Sequence, residues 1–186
     1  DEELQELLKD LRRKAAEEPL EELEAEALEK GIGAIPDPTG RGIDQTSPQM
    51  LKAQPPEGKW QLLMLLRNCE RRGAWPWQWL MCITVLLGKP EGGERPIGLV
   101  PLPVRTWMRA RIPDADDWND ARKAGRWDDA IKGSSALRAA MLRGLQNESA
   151  RVCGKEVAEI FWDMQKFYDT ISLVKLVPLA LEAGFP

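Results

Sequence analysis

Apolar positions recur at helical spacing through the first part of the chain. Leu4, Leu7, Leu8, Leu11 and Ala15 fall about one turn apart with charges between them. Pro19 interrupts, and Leu20, Leu23, Ala27 and Leu28 resume the pattern until Gly31 stops it. Two short amphipathic helices are predicted, each packing one stripe on the body. Residues 31–49 contain Pro36, Pro38, Gly40 and Gly42 and read as a loop. Ser47 followed by Pro48 suits the cap and first turn of a short helix through Leu51. A longer helix from Lys59 to Arg72 buries Leu62, Leu63, Leu65 and Leu66, and Gly73 ends it.

The period then changes. Met81 to Leu87 is apolar and holds the β-branched Ile83, Thr84 and Val85, the pattern of a strand. Lys89 to Arg95 contains Gly92-Gly93, and Pro96 to Val100 returns as a second strand, which predicts a β-hairpin. The hairpin places Lys89 and Arg95 on either side of its tip. Just before it, Trp75, Trp77 and Trp79 lie close together. Such rings can stack bases, but the cluster reads as core packing beneath the joint into the hairpin.

Downstream, Pro103 to Ile112 is expected to be helical, and the acidic stretch Asp114 to Asp129 is expected to be an irregular insertion. A helix runs from Ser134 to Arg151, capped by Ser134 or Ser135 and carrying Leu137, Met141, Leu142 and Leu145. Val157, Ala158, Ile160, Phe161 and Trp162 form a nearly continuous apolar run, which predicts a strand buried on both faces. Asp163 stands where that run ends. A carboxylate there is costly unless it is solvated, paired or bound to a cation. Ser172 then begins a helix bent at Pro178 and closed by Gly184.

Composition narrows the chemistry. The chain has 186 residues, 43% hydrophobic, with eight Trp, enough for a folded domain with a sizeable core. No apolar run is long enough to span a bilayer and no signal-peptide pattern opens the chain, so an intracellular protein of nucleus or cytoplasm is expected. The absence of Met at Asp1 suggests an excised or partial chain. There is no His, and Cys69, Cys82 and Cys153 are widely spaced. This removes Ser-His and Cys-His nucleophiles and the usual zinc spacings, and argues against a disulfide framework. Carboxylates, Lys, Arg and metal ions are left.

Charge is unevenly divided. Residues 1–30 hold 12 acids and 5 bases within a chain whose net charge is −4. Between Lys59 and Arg111 there are 9 bases and 3 acids, the footprint of a basic substrate-facing surface behind an acidic appendage.

Three segments resemble one family in its own order. Gly40-Arg41-Gly42-Ile43-Asp44 with Ser47-Pro48 resembles the Gly-x-Asp segment leading into the fingers of retroelement reverse transcriptases. The stretch from Lys89 through Gly92-Gly93 to Arg95-Pro96-Ile97-Gly98-Leu99 resembles the fingers hairpin of non-LTR retrotransposon and group II intron enzymes, with Gly88 where the family usually has Pro. Asp163, then Tyr168 and Asp169, resembles the first catalytic motif of the palm. Trp127-Asp128-Asp129 is not the family's aromatic-x-Asp-Asp motif, because it lies upstream of Asp163 instead of downstream.

The resemblance implies an α+β fold: helical fingers with a β-hairpin leading into the first strand of a polymerase palm, truncated. It divides the chain into residues 1–30, an acidic helical appendage; 31–154, a fingers-like region; and 155–186, the start of the palm. The implied activity is RNA-directed DNA synthesis on an RNA template and DNA primer from deoxynucleoside triphosphates. Asp163 would be catalytic and hold magnesium, or manganese in its place, with the Met164 carbonyl. Lys89 and Arg95 would grip the triphosphate, and Tyr168 would exclude a 2′-hydroxyl. The family's downstream Asp-Asp pair does not occur before Pro186, so the chain is expected to be inactive by itself. The alternative is a non-catalytic, retroelement-derived module that binds RNA or another protein through residues 1–30.

Overall fold

The computed structural model describes residues 2–17, 20–121, 135–158 and 170–185. Among the described residues the fold is α+β: helices and one two-stranded antiparallel sheet. In chain order the elements are α1 (Glu2–Glu17), α2 (Ala25–Gly33), α3 (Pro48–Lys52), α4 (Pro56–Arg72), α5 (Trp77–Leu80), β1 (Ile83–Gly88), β2 (Glu94–Leu99), α6 (Leu102–Ala110), α7 (Ile112–Ala121), α8 (Ala136–Val152) and α9 (Leu173–Glu182).

The core is built from α2, α3, α4 and α6. Leu23, Leu28, Ile32, Ile35, Leu51, Leu63, Leu66, Leu102 and Ala110 form one buried cluster. Thus α2, which the sequence groups with the acidic appendage, supplies Leu28 and Ile32 to the same cluster as α4 and α6. Its approach to α6 is close. A Cβ on Gly31 would lie 3.0 Å from the Thr106 carbonyl oxygen and 3.2 Å from the Ala110 nitrogen, so any side chain there would push the two helices apart by a few tenths of an ångström. The buried Thr106 hydroxyl is satisfied within its own helix, donating to the Leu102 carbonyl at 2.9 Å.

Local signals operate as expected at several ends. Ser47 Oγ accepts from the Met50 amide at 3.3 Å, with Pro48 in the first turn of α3. Gly73 closes α4 in the left-handed conformation, φ +56°. Ser135 caps α8, accepting from the Arg138 amide at 3.2 Å.

Other expectations need correction. Residues 112–121 are helical, whereas the sequence suggests an irregular insertion from Asp114. The helix is held from outside: Trp118 stacks edge-on against Phe185 at 5.1 Å and donates its indole N–H to the Ala183 carbonyl at 2.9 Å. Helix α4 begins at Pro56, ahead of Lys59, and β1 begins at Ile83, after Met81. Leu65 is 41% exposed and does not join the core. Leu137, Met141, Leu142 and Leu145 of α8 are exposed as well, Leu137 at 72%. Val157 is exposed and lies outside any strand, so the expected fully buried strand does not include it; residues 159–162 lie outside the described residues. Among the described residues no helix is long and apolar enough to cross a membrane.

Candidate functional site: a cationic hairpin and its base

The two strands pair from Ile83 opposite Leu99 to Gly88 opposite Glu94. Residues opposite one another share a face, so Ile83, Val85, Leu87, Arg95, Ile97 and Leu99 lie on one side of the ribbon. The turn closes when the Lys89 amide donates to the Gly93 carbonyl at 3.0 Å and the Gly92 amide donates to the Lys89 carbonyl at 3.1 Å. Gly92 and Gly93 have φ of +93° and +86°, backbone that side chains rarely adopt. Gly88, by contrast, faces open space, so nothing in the chain's packing demands glycine there.

Lys89 and Arg95 flank the closing Gly88–Glu94 pair by one position each. Both are exposed, and neither forms an ion pair with a described residue. Two uncommitted cations at a solvent-facing tip can meet an anion, Arg through its fork and Lys as a point charge.

The wider basic surface inferred from the sequence is smaller than the residue count implies. Lys59 pairs with Glu29 at 3.0 Å, and Arg67 and Arg71 both reach Glu22, at 3.2 and 3.9 Å. Arg111 is bound to Glu70 at 2.7 Å and to Asp114 at 3.2 Å. The hydrogen bond to Glu70 is the main reason that the Arg111 guanidinium holds its proton more tightly than usual, against the opposing effect of burial. Acids between residues 21 and 29 thus consume bases of α4, leaving the hairpin cations among those still open to a ligand.

The joint into the hairpin is aromatic. Trp75 packs edge-on against Trp107 at 4.8 Å and lies 6.1 Å from Trp79, and all three rest on the core cluster. Trp77 departs from the expected core role: its indole is 66% exposed. Trp107 also donates its N–H to Glu70, at 2.6 Å.

The other end of the hairpin is seated on the loop carrying the Gly-x-Asp segment. Asp44 Oδ2 accepts from the Leu102 amide at 3.3 Å, at the start of α6. Arg105 donates to the Gly40 carbonyl at 2.7 Å. A Cβ on Gly42 would fall 2.8 Å from the Val100 carbonyl oxygen and 2.9 Å from Pro101, so backbone lies directly on backbone here. The Gly-x-Asp segment thus packs on the residues that directly follow the hairpin segment, though 58 residues separate Asp44 from Leu102.

Asp163, Met164 and Tyr168 lie outside the described residues. The magnesium ligands implied by the resemblance are therefore not placed relative to the hairpin. Among the described residues, no group of three or more Cys, Asp or Glu is arranged to hold a metal ion. Comparison of the chain with protein-family models, curated proteins and solved structures gave no match.

Proposed function

We propose that the chain is the fingers region and the start of the palm of a retroelement reverse transcriptase, of the non-LTR retrotransposon or group II intron type. The observation that carries this reading is the hairpin: two cations without ion pairs among the described residues flank a Gly-Gly tip, and the ribbon's outgoing end rests on the Gly-x-Asp segment. Order along the chain adds support, since Asp163 and Tyr168 follow at the family's place for the first palm motif.

In this reading the chain's own groups do three things. Arg95 and Lys89 neutralise and orient the triphosphate of the incoming deoxynucleotide. Tyr168 lies beneath its sugar and rejects a 2′-hydroxyl by steric clash. Asp163, with the Met164 carbonyl, binds magnesium, which supplies the two-metal chemistry of 3′-hydroxyl attack. The template is RNA and the primer DNA.

The test is template-primer extension by the full open reading frame, with Asp163→Asn beside it. Losing a metal-binding carboxylate removes several kcal/mol of transition-state stabilisation, so extension should fall by about a thousandfold or more. Extension by the Asn variant within a few-fold of the parent would overturn the assignment. Binding of RNA without any extension would point to the non-catalytic module instead.

A further inference from the structure

The hairpin is attached to the body mainly at its base. Of its strand residues only Ile83 and Leu99 are even partly buried, and both lie at the end away from the tip. A ribbon standing out in this way takes its direction from whatever grips that end. On the incoming side the grip is apolar, with Trp75 between Trp79 and Trp107 and all three against the core. On the outgoing side it is specific and polar. The Asp44 carboxylate holds the Leu102 amide, Arg105 reaches back to the Gly40 carbonyl, and Gly42 lies flat on Val100 and Pro101. A Cβ on Gly40 would touch Leu99, the last residue of β2, at 3.4 Å.

The loop is shaped to deliver these contacts. Gln45 has φ of +54°, uncommon for a residue with a side chain. Its amide donates to the Gly42 carbonyl at 3.1 Å and its side-chain amide to the same oxygen at 3.2 Å. This turn presents Asp44 to α6. Two polar atoms of the junction, Asp44 Oδ1 and Arg105 Nε, are buried without partners. Buried polar groups left unmatched are costly, and they persist where the surroundings hold them in place.

We infer that residues 40–45 form a clasp that sets the pose of the hairpin, with Asp44 and Arg105 as positioning residues for Lys89 and Arg95. The inference rests on the hairpin's being a triphosphate grip. Its physical content is a population: when the clasp is cut, the hairpin samples poses in which the two cations no longer converge. If the productive pose is then occupied about one tenth of the time, apparent affinity for the triphosphate falls about tenfold.

Two measurements test it. The first uses this chain with spin labels at Glu91→Cys on the tip and Glu57→Cys on α4, with Cys82→Ser and Cys153→Ser and the buried Cys69 retained. Pulsed electron resonance gives the tip-to-body distance distribution. Asp44→Ala should broaden or shift it, and Asp44→Asn, which keeps an acceptor oxygen, should restore it. Arg105→Gln serves as a second variant, because the bond it removes is at the surface, and circular dichroism checks that it folds. The second is steady-state extension by the full open reading frame. Both clasp variants should raise the KM for deoxynucleotide about tenfold with kcat within about twofold, the split expected of lost positioning. Unchanged distances in a folded Asp44→Ala or Arg105→Gln chain would overturn the clasp. So would unchanged KM in both variants while Arg95→Ala raises it. If Arg95→Ala itself leaves KM unchanged, the triphosphate reading fails, and the clasp's functional role with it.

Discussion

Replacing Glu70 with Leu should be among the most damaging single changes outside the apolar core. Glu70 Oε1 accepts from Trp107 Nε1 at 2.6 Å and from Arg111 Nε at 2.7 Å, and Oε2 accepts from Arg111 Nη2 at 2.8 Å. The two charged side chains are only 10% and 14% exposed. Removing one member of a buried pair costs about 3–5 kcal/mol, because the other charge is left uncompensated. Arg111 keeps Asp114 at 3.2 Å and the Glu21 carbonyl at 2.8 Å, which recovers part of that. We therefore expect a loss of about 2–3 kcal/mol, against a total stability on the order of 5–15 kcal/mol. Urea unfolding followed by Trp fluorescence measures it, as a shift in midpoint at constant slope. Trp107 loses its indole partner, so the folded-state emission should change too. The double variant Glu70→Leu with Arg111→Leu should be more stable than Glu70→Leu alone, because no guanidinium stays largely buried without its main partner. A loss below about 0.5 kcal/mol for Glu70→Leu would refute the role given to this network.

Three further outcomes are expected. Leu66→Ala, at a fully buried position, should cost about 2–5 kcal/mol, whereas Leu137→Ala on exposed α8 should stay within about 0.5 kcal/mol; equal costs in urea unfolding would contradict the core described above. Burial pushes the Cys69 thiol above its ordinary value of 9.0, so its contribution to stability is fully present below that pH and is lost as pH rises through the higher folded value. Cys69→Ala should flatten the alkaline arm of the stability profile, and a thiol reagent should modify the exposed Cys82 and Cys153 promptly but Cys69 only on unfolding. In the full open reading frame, Tyr168→Val should raise the ratio of ribo- to deoxynucleotide kcat/KM; an unchanged ratio in a folded variant removes the sugar gate.

The properties legible in the sequence are those set by neighbours a few residues apart. Helical spacing of Leu63 and Leu66, the Ser47 cap, the left-handed stop at Gly73 and the Gly92-Gly93 turn all follow from short-range backbone sterics and hydrogen bonding, and all occur where the pattern places them. So does the coarse class, helices with one hairpin. Tertiary structure decided what depends on partners far along the chain. Whether Asp114 opens a loop or sits in a helix turned on Trp118, whose contacts, Ala183 and Phe185, lie more than sixty residues away. Which bases remain open turned on Glu22, Glu29 and Glu70, acids that a count of residues 59–111 cannot assign to Arg67, Lys59 and Arg111. The clasp is of the same kind. Gly42 and Asp44 read as an ordinary Gly-rich turn until folding lays them on Pro101 and Leu102, because close backbone approach and a side-chain-to-amide bond leave no periodic trace in either segment.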